Sequence, residues 1–204
     1  MKLYYAPGAC SLSPHIVLRE AGLDFELERV HFKTRLSESG TDYLSINPKG
    51  YVPALQLDNG AVLTEGPAIV QYLADQAPAK KLAPANGTFE RYQLMETLNY
   101  LTAEVHKSFG PLFNPGSSDE AKEGARTALA KRFAYVEALL QKSPWLMGEQ
   151  FSVADVYLFV LLSWTGHVGI DLGPWPAAQA FMKKMGERPA VQAAMAAEGL
   201  TKTA

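Results

Sequence analysis

A chain of 204 residues suits one or two compact domains, and at this size folding removes roughly 70% of the unfolded chain's surface from water, so neither disulfides nor a structural metal are needed. With 48% hydrophobic and 20% charged residues, and 19 basic against 21 acidic side chains, the composition is that of an ordinary soluble protein of net charge -2, without the Lys/Arg runs that nucleic-acid binding requires. The longest apolar stretch, Val156 to Leu162, falls far short of the ~20 residues of a membrane span, Met1 to Ala9 has no signal-peptide core, and a single cysteine, Cys10, excludes an internal disulfide, a CxxC pair and a thiolate zinc site. A cytoplasmic protein without metal, membrane or nucleic-acid partner is expected.

In chain order, Lys2 to Tyr5 reads as a strand broken by Ala6, Pro7 and Gly8, after which Leu12, Ile16, Val17 and Ala21 recur at helical spacing as far as Gly22. Phe25 to Val30 is a second strand, and Thr41 to Ile46 a short irregular or helical piece closed by Asn47 and Pro48. Ala54 to Leu57 and Ala61 to Leu63 flank Asp58, Asn59 and Gly60 as a hairpin, and a helix from Glu65 to Gln76 follows. The order βαβ, hairpin, α implies a mixed four-stranded sheet with helices packed on it, the thioredoxin-like arrangement, over residues 1–77. Residues 78–87, rich in Pro, Ala and Lys, form the linker.

Residues 88–204 read as all helix: about Phe89 to Ser108, Glu120 to Gln141, Val153 to Gly166, Pro176 to Met185 and Pro189 to Ala197. Ser152 and Asp155 form a capping box, with Phe151 placed to staple onto Val156, which is a folding signal. No internal repeat or low-complexity tract is present.

Chemistry has few places to reside. Cys10 lies at the mouth of the first helix, where macrodipole and free N–H groups favour a thiolate; an inert buried cysteine is the competing reading. Pro53 stands at the start of a strand, where either a trans turn or a cis bond fits; in a thioredoxin-like fold a cis-proline loop leaves the backbone of the preceding residue, Val52, free to bind a peptide-like ligand as a strand. Glu65 and Gly66 open the third helical segment of the fold pattern. Glu65 serves there either as a dipole-complementing acid or, with the adjacent amides, as a seat for an α-amino acid head group. Asn99, Ala103, His106 and Gly110 share one helical face, separate from the apolar stripe Leu94, Leu98, Leu101 and Val105. A lone helical histidine is commonly structural. Core packing accounts for Phe109, Pro111, Leu112 and Phe113, and for Trp164 and His167.

The segments MKLYYAPGACSLSPH from Met1, NPKGYVP from Asn47, LTEG from Leu63, EVHK from Glu104 and FSVAD from Phe151 together resemble the bacterial beta-class glutathione transferases over essentially the whole chain. The resemblance implies a thioredoxin-like domain holding glutathione as co-substrate, with no tightly bound cofactor. It also implies an all-helical domain holding most of the hydrophobic co-substrate site, and a homodimer. By position it implies that Cys10 lies beside the glutathione sulfur, that Val52, before Pro53, pairs with the cysteinyl backbone, and that Glu65 with Gly66 holds the γ-glutamyl end. Asn99, Ala103, Glu104, Val105 and His106, with Lys107 beside them, match the family's further contact segment. Arg35 stands where the class often has lysine, and Gly66 where the wider superfamily has serine, so carboxylate binding there rests on the amide.

These implications place the glutathione thiolate as nucleophile, stabilised by nearby donors, against an apolar electrophile held by Phe109, Phe113, Trp164 and His167. Cys10 adds thiol-disulfide exchange with glutathione disulfides, and His106 is the second candidate catalytic residue. A primarily redox, glutaredoxin-like enzyme and a non-catalytic binding or regulatory protein on the same fold are the alternatives.

Overall fold

The computed structural model describes residues 1–201. The chain forms two compact units, Met1–Ala83 together with the residues from Glu187 onward, and Pro84–Gly186.

In the first unit the strands are β1 (Lys2–Tyr5), β2 (Glu26–His31), β3 (Leu36–Ser37), β4 (Ala54–Gln56) and β5 (Val62–Thr64), ordered β3-β2-β1-β4-β5. Among the described residues the sheet therefore has five strands where four were expected. The extra one, β3, is only two residues long and pairs antiparallel with the edge of β2, too short to carry an alternating pattern. β1 and β2 are parallel, joined through helix α1 (Leu12–Ala21), while β1–β4 and β4–β5 are antiparallel. α1 stops at Gly22, which adopts φ 68° and returns its N–H to Arg19 and Leu18 carbonyls. Helix α2 (Gly66–Gln76) follows β5.

The period of two in β1 and β4 separates two cores. Leu3 and Leu55 face each other across the ladder and are fully buried, as are Ile16 and Val17 of α1 and Ile69, Val70 and Leu73 of α2. The next register pair, Tyr4 and Ala54, joins Val30, Tyr43 and Val52 in a separate cluster.

The division of the chain differs from the expectation that 88–204 is one helical domain. Helix α8 (Pro189–Ala197) belongs with the first unit because it packs on α1 through groups that cannot be left unpaired. Arg188 grips Glu20 through Nε and Nη2 at 2.6 and 2.9 Å. Glu198 accepts from the Gly8 N–H at 2.9 Å and lies 2.8 Å from His15 Nδ1, both side chains of this pair being fully buried. Arg19 Nε donates to His15 Nε2 at 3.0 Å, so the histidine proton is on Nδ1 and goes to Glu198. No local sequence period encodes a contact between residues 8 and 198.

The second unit contains α3 (Phe89–Tyr100), α4 (Gly110–Phe113), α5 (Asp119–Leu140), α6 (Val153–Ser163) and α7 (Pro176–Gly186). α6 is buried at every position from Val153 to Leu162, as an element apolar on all sides must be. Its capping box is formed: the Ser152 hydroxyl accepts from the Ala154 N–H, and Asp155 accepts from the Ser152 N–H at 2.8 Å. The first turn of α7 is capped from a distance by Glu137 of α5, whose two oxygens accept from Ala177 and Ala178 N–H at 2.9 Å each. Among the described residues no helix is long and apolar enough to cross a membrane.

The helix expected from about Phe89 to Ser108 forms, though not as one uniform α-helix. After Tyr100 the chain winds into a π-helical turn, Leu101–His106. Thr97, Thr102 and Ser108 each hydrogen-bond the carbonyl four residues back, at 2.9, 2.9 and 2.6 Å, in competition with the backbone ladder. The wider turn keeps Leu101, Val105 and Phe109, spaced by four, on the buried side.

Candidate active site

In the first unit, Cys10 sits in a turn just ahead of α1, partly exposed, and its Sγ donates to the Val52 carbonyl at 3.3 Å. The loop around it is pinned. Ser11 does not cap α1 but bonds the Ala6 N–H and carbonyl at 3.1 and 3.2 Å, while the Leu12 and Ser13 N–H groups are taken by the Ala9 and Cys10 carbonyls. The helix end is thus less open than the sequence suggests, because a turn satisfies two of its donors in advance.

The Val52–Pro53 peptide is cis. The segment before it is held by the Tyr51 carbonyl, which accepts from Tyr43 Oη and Asn47 Nδ2, each at 2.7 Å. Burial pushes the Tyr43 hydroxyl up to about 12, so it remains a donor. The Val52 N–H has no hydrogen-bond partner among the described residues, whereas its carbonyl meets Cys10. A backbone group free to pair and the one thiol of the chain therefore meet at a single residue.

Glu65 stands at the N-terminus of α2 with φ 71° and ψ 113°, a sparsely populated conformation for a side-chain-bearing residue, and its carboxylate makes no cap to its own helix. Instead Oε1 lies 2.6 Å from Lys49 Nζ, which also reaches Thr64 Oγ1 at 3.1 Å. Arg35, exposed and at φ 59°, lines a cavity of about 300 Å³ with Phe32, Tyr43, Lys49 and Tyr51.

In the second unit the structure brings His106, Phe109, Phe113 and Trp164 together. Trp164 meets the rings of His106, Phe109 and Phe113 edge-on at 4.9, 5.4 and 5.4 Å, and Phe109 stacks on Phe113 at 5.9 Å. Exposure separates their roles. Phe113 is 48% exposed and Phe109 is fully buried, so Phe109 backs the aromatic surface and cannot itself meet a co-substrate. His167 is exposed and follows Trp164 in the chain; its N–H bonds the Trp164 carbonyl.

Of the four residues expected on one face, Gly110 is exposed and His106 is half-buried. Asn99, Ala103 and Lys107 are exposed, while Val105 is fully buried and has no surface for a ligand. Glu104 is paired with Arg132 of α5 at 2.7 Å. His106 Nδ1 lies 2.7 Å from the Tyr157 hydroxyl, and burial, helped by the Lys107 charge, holds its pKa down at about 4. The imidazole is neutral at physiological pH.

Lys49, Tyr157 and Arg132 carry interactions that the sequence reading missed. Only Tyr157 had a signal, since a tyrosine in an apolar buried run needs a partner for its hydroxyl.

The family models for the N-terminal and C-terminal domains of glutathione S-transferase match residues 8–76 and 100–189. Glutathione S-transferase GstA of Escherichia coli O157:H7 is 48% identical over 200 residues, covering 98% of this chain and 100% of its own. Among solved structures, BphK, a bacterial transferase captured in a ternary complex, superposes with a TM-score of 0.97 at 62% identity, covering 98% of this chain and 100% of its own. The bacterial beta-class enzyme of Sphingomonas chungbukensis superposes with a TM-score of 0.96 at 51% identity, with the same coverage. A thioredoxin-like unit whose thiol meets the residue before a cis-proline, matched along nearly its full length by such relatives, places this chain in the glutathione S-transferase family, close to its bacterial beta class.

Proposed function

We propose that the chain transfers glutathione to small apolar electrophiles and, through Cys10, also exchanges thiols with glutathione disulfides. The observation that carries this reading is the Cys10–Val52 contact at 3.3 Å. A tripeptide that pairs its cysteinyl backbone with Val52 sets its own sulfur beside Cys10. Its γ-glutamyl ammonium goes to Glu65 and its α-carboxylate to the amides of Glu65 and Gly66 at the start of α2. Its glycyl carboxylate goes toward Arg35. In the second unit Phe113 and the edge of Trp164 offer the apolar surface for the electrophile, with Phe109 and His167 around them. Asn99, Ala103, Glu104, His106 and Lys107 are the further glutathione contacts in this reading, and Val105 only supports them. Conjugation then joins the glutathione sulfur to the electrophilic carbon as the leaving group departs. The test is turnover of aryl halides, epoxides, peroxides and mixed disulfides with and without glutathione; turnover of none of them ends the reading.

Glu65→Gln is expected to weaken glutathione binding about ten- to a hundredfold, since a hydrogen bond to a charged group contributes roughly 1.5 to 3 kcal/mol. The fold should hardly respond. Among the described residues Glu65 pairs with Lys49, and the side chains of that pair are 64% and 51% exposed, in the range where a surface pair contributes about 0 to 1 kcal/mol. Glutamine leaves the positive φ unchanged. Calorimetric titration with glutathione beside a thermal melt checks this, and unchanged affinity with a large fall in melting temperature reverses it.

The protein in this reading is a cytoplasmic homodimer. Sedimentation at micromolar concentration should give twice the 22.3 kDa chain mass, and a stable species at the chain mass refutes the dimer.

A further inference from the structure

The peptide unit that joins Tyr51 to Val52 is gripped at its oxygen. Tyr43 Oη and Asn47 Nδ2 both donate to the Tyr51 carbonyl, each at 2.7 Å, so both lone pairs of that oxygen are engaged. The two donors are themselves fixed. Tyr43 opens a 3₁₀ turn, Tyr43–Ser45, its ring is buried against Tyr4 at 5.6 Å, and its hydroxyl, pushed up to about 12 by burial, keeps its proton. Asn47 is buried as well, and its amide cannot turn round, because Oδ1 accepts from the Lys49 N–H at 3.2 Å while Nδ2 faces the Tyr51 oxygen.

Covalent geometry carries this grip to the other end of the same unit. A peptide is planar, and in the trans form, which Tyr51–Val52 has, its C=O and N–H point in opposite directions. Two bonds on the oxygen fix the plane and so fix the direction of the Val52 N–H, away from Tyr43 and Asn47. That N–H has no hydrogen-bond partner among the described residues. Drawing electron density toward the bonded oxygen also makes the same amide a stronger donor.

We propose that Tyr43 and Asn47 are positioning residues for glutathione: by clamping the Tyr51 carbonyl they aim the Val52 N–H at the carbonyl of the ligand's cysteinyl residue. This rests on the reading that Val52 pairs with the cysteinyl backbone. Neither side chain has to touch the ligand. A donor oriented in advance loses no freedom when the bond forms, so the clamp acts on affinity and leaves the chemical step alone.

The test crosses variants of the protein with a change in the ligand. The probes are glutathione and an analogue whose cysteinyl–glycine peptide is replaced by a trans carbon–carbon double bond, which keeps the shape and removes the carbonyl. Tyr43→Phe removes one donor and leaves the buried ring; Asn47→Asp keeps the acceptor for Lys49 N–H but turns an anionic oxygen toward the Tyr51 carbonyl. In calorimetric titrations the unaltered protein should bind glutathione about tenfold more tightly than the analogue. Tyr43→Phe should lose about threefold for glutathione and Asn47→Asp nearly the whole tenfold, while the analogue binds all three proteins within about twofold. In aryl-halide conjugation the loss should fall on KM for glutathione with kcat little changed, and in 15N spectra of the ligand-free protein the Val52 amide nitrogen should shift upfield in Tyr43→Phe. Equal weakening of both ligands would make the pair a general support of the loop and overturn the proposal, as would unchanged affinity for glutathione. Should either variant not fold, the other gives the same comparison. If the unaltered protein binds both ligands equally, the cysteinyl carbonyl does not meet Val52 and the site reading falls with the proposal, an outcome read without any variant and so distinct from a clamp that does nothing.

Discussion

Cys10→Ala should abolish formation of a mixed disulfide with oxidised glutathione while conjugation to aryl halides survives with at most a moderate loss. Exchange requires a protein thiolate to attack one disulfide sulfur, forming a new S–S bond as the old one breaks and glutathione thiolate departs. Cys10 is the only thiol in the chain, so alanine leaves nothing to take its place. For conjugation in the proposed reading the attacking sulfur comes with the ligand, and the variant keeps the Val52 backbone, Glu65 and the start of α2 to which that reading assigns the ligand. Alanine also removes the thiol's hydrogen bond to the Val52 carbonyl at 3.3 Å, but a sulfur donor is weak and the loop should keep its shape. Intact-protein mass after incubation with oxidised glutathione, beside conjugation rates at matched folding, separates the two activities. Conjugation lost as completely as disulfide formation would make Cys10, not glutathione, the transferring nucleophile.

A second large effect is expected in the pH dependence of stability, where two buried groups of the helical unit oppose each other. His106 has its pKa lowered from 6.5 to about 4, so between those values the unfolded chain binds the extra proton and stability rises with pH. That contribution is fully present above about 6.5 and is lost as pH falls through 4. Asp155 has its pKa raised by burial from 3.8 to about 6, although Leu146 N–H, Ser152 N–H and the Ser152 hydroxyl all donate to it. Between 3.8 and 6 the folded chain binds the extra proton, so its contribution falls as pH rises. Because a tenfold change in proton affinity corresponds to about 1.4 kcal/mol, each group contributes about 3 kcal/mol, and between pH 4 and 6 the two nearly cancel. His106→Gln removes the rising half. Its stability relative to the unaltered protein should therefore be about 3 kcal/mol better at about pH 4 than at about pH 7, measured by denaturant titration across that range. A pH-independent difference between the two proteins would mean that His106 is not buried as a neutral ring.

Local sequence determined most of what depends on near neighbours. The strand before Pro7, the Gly22 stop of α1, the hairpin at Asp58 to Gly60 and the Ser152–Asp155 capping box each rest on backbone preferences or hydrogen bonds within a few residues, and each forms where its residues indicate. The five quoted segments also carried the family, because motif spacing survives in the sequence whatever the surrounding packing. What spans distance was not legible there. The contact of Glu198 with Gly8 and His15, the return of α8 to the first unit, the capping of α7 by Glu137 and the pairing of Tyr157 with His106 join residues 40 to 190 positions apart. Nothing in a helical or strand period distinguishes a buried glutamate or tyrosine that will find its partner from one that faces water. The π turn after Tyr100 belongs to the same class: a 3.6-residue reading put Asn99, Ala103 and His106 on one face, and only the fold shows the widened turn, with Asn99 and Ala103 exposed, His106 half-buried and Leu101, Val105 and Phe109 buried. Side-chain burial is settled by the whole fold at once, and the neutral, ring-clamped His106 exists only because that fold surrounds it.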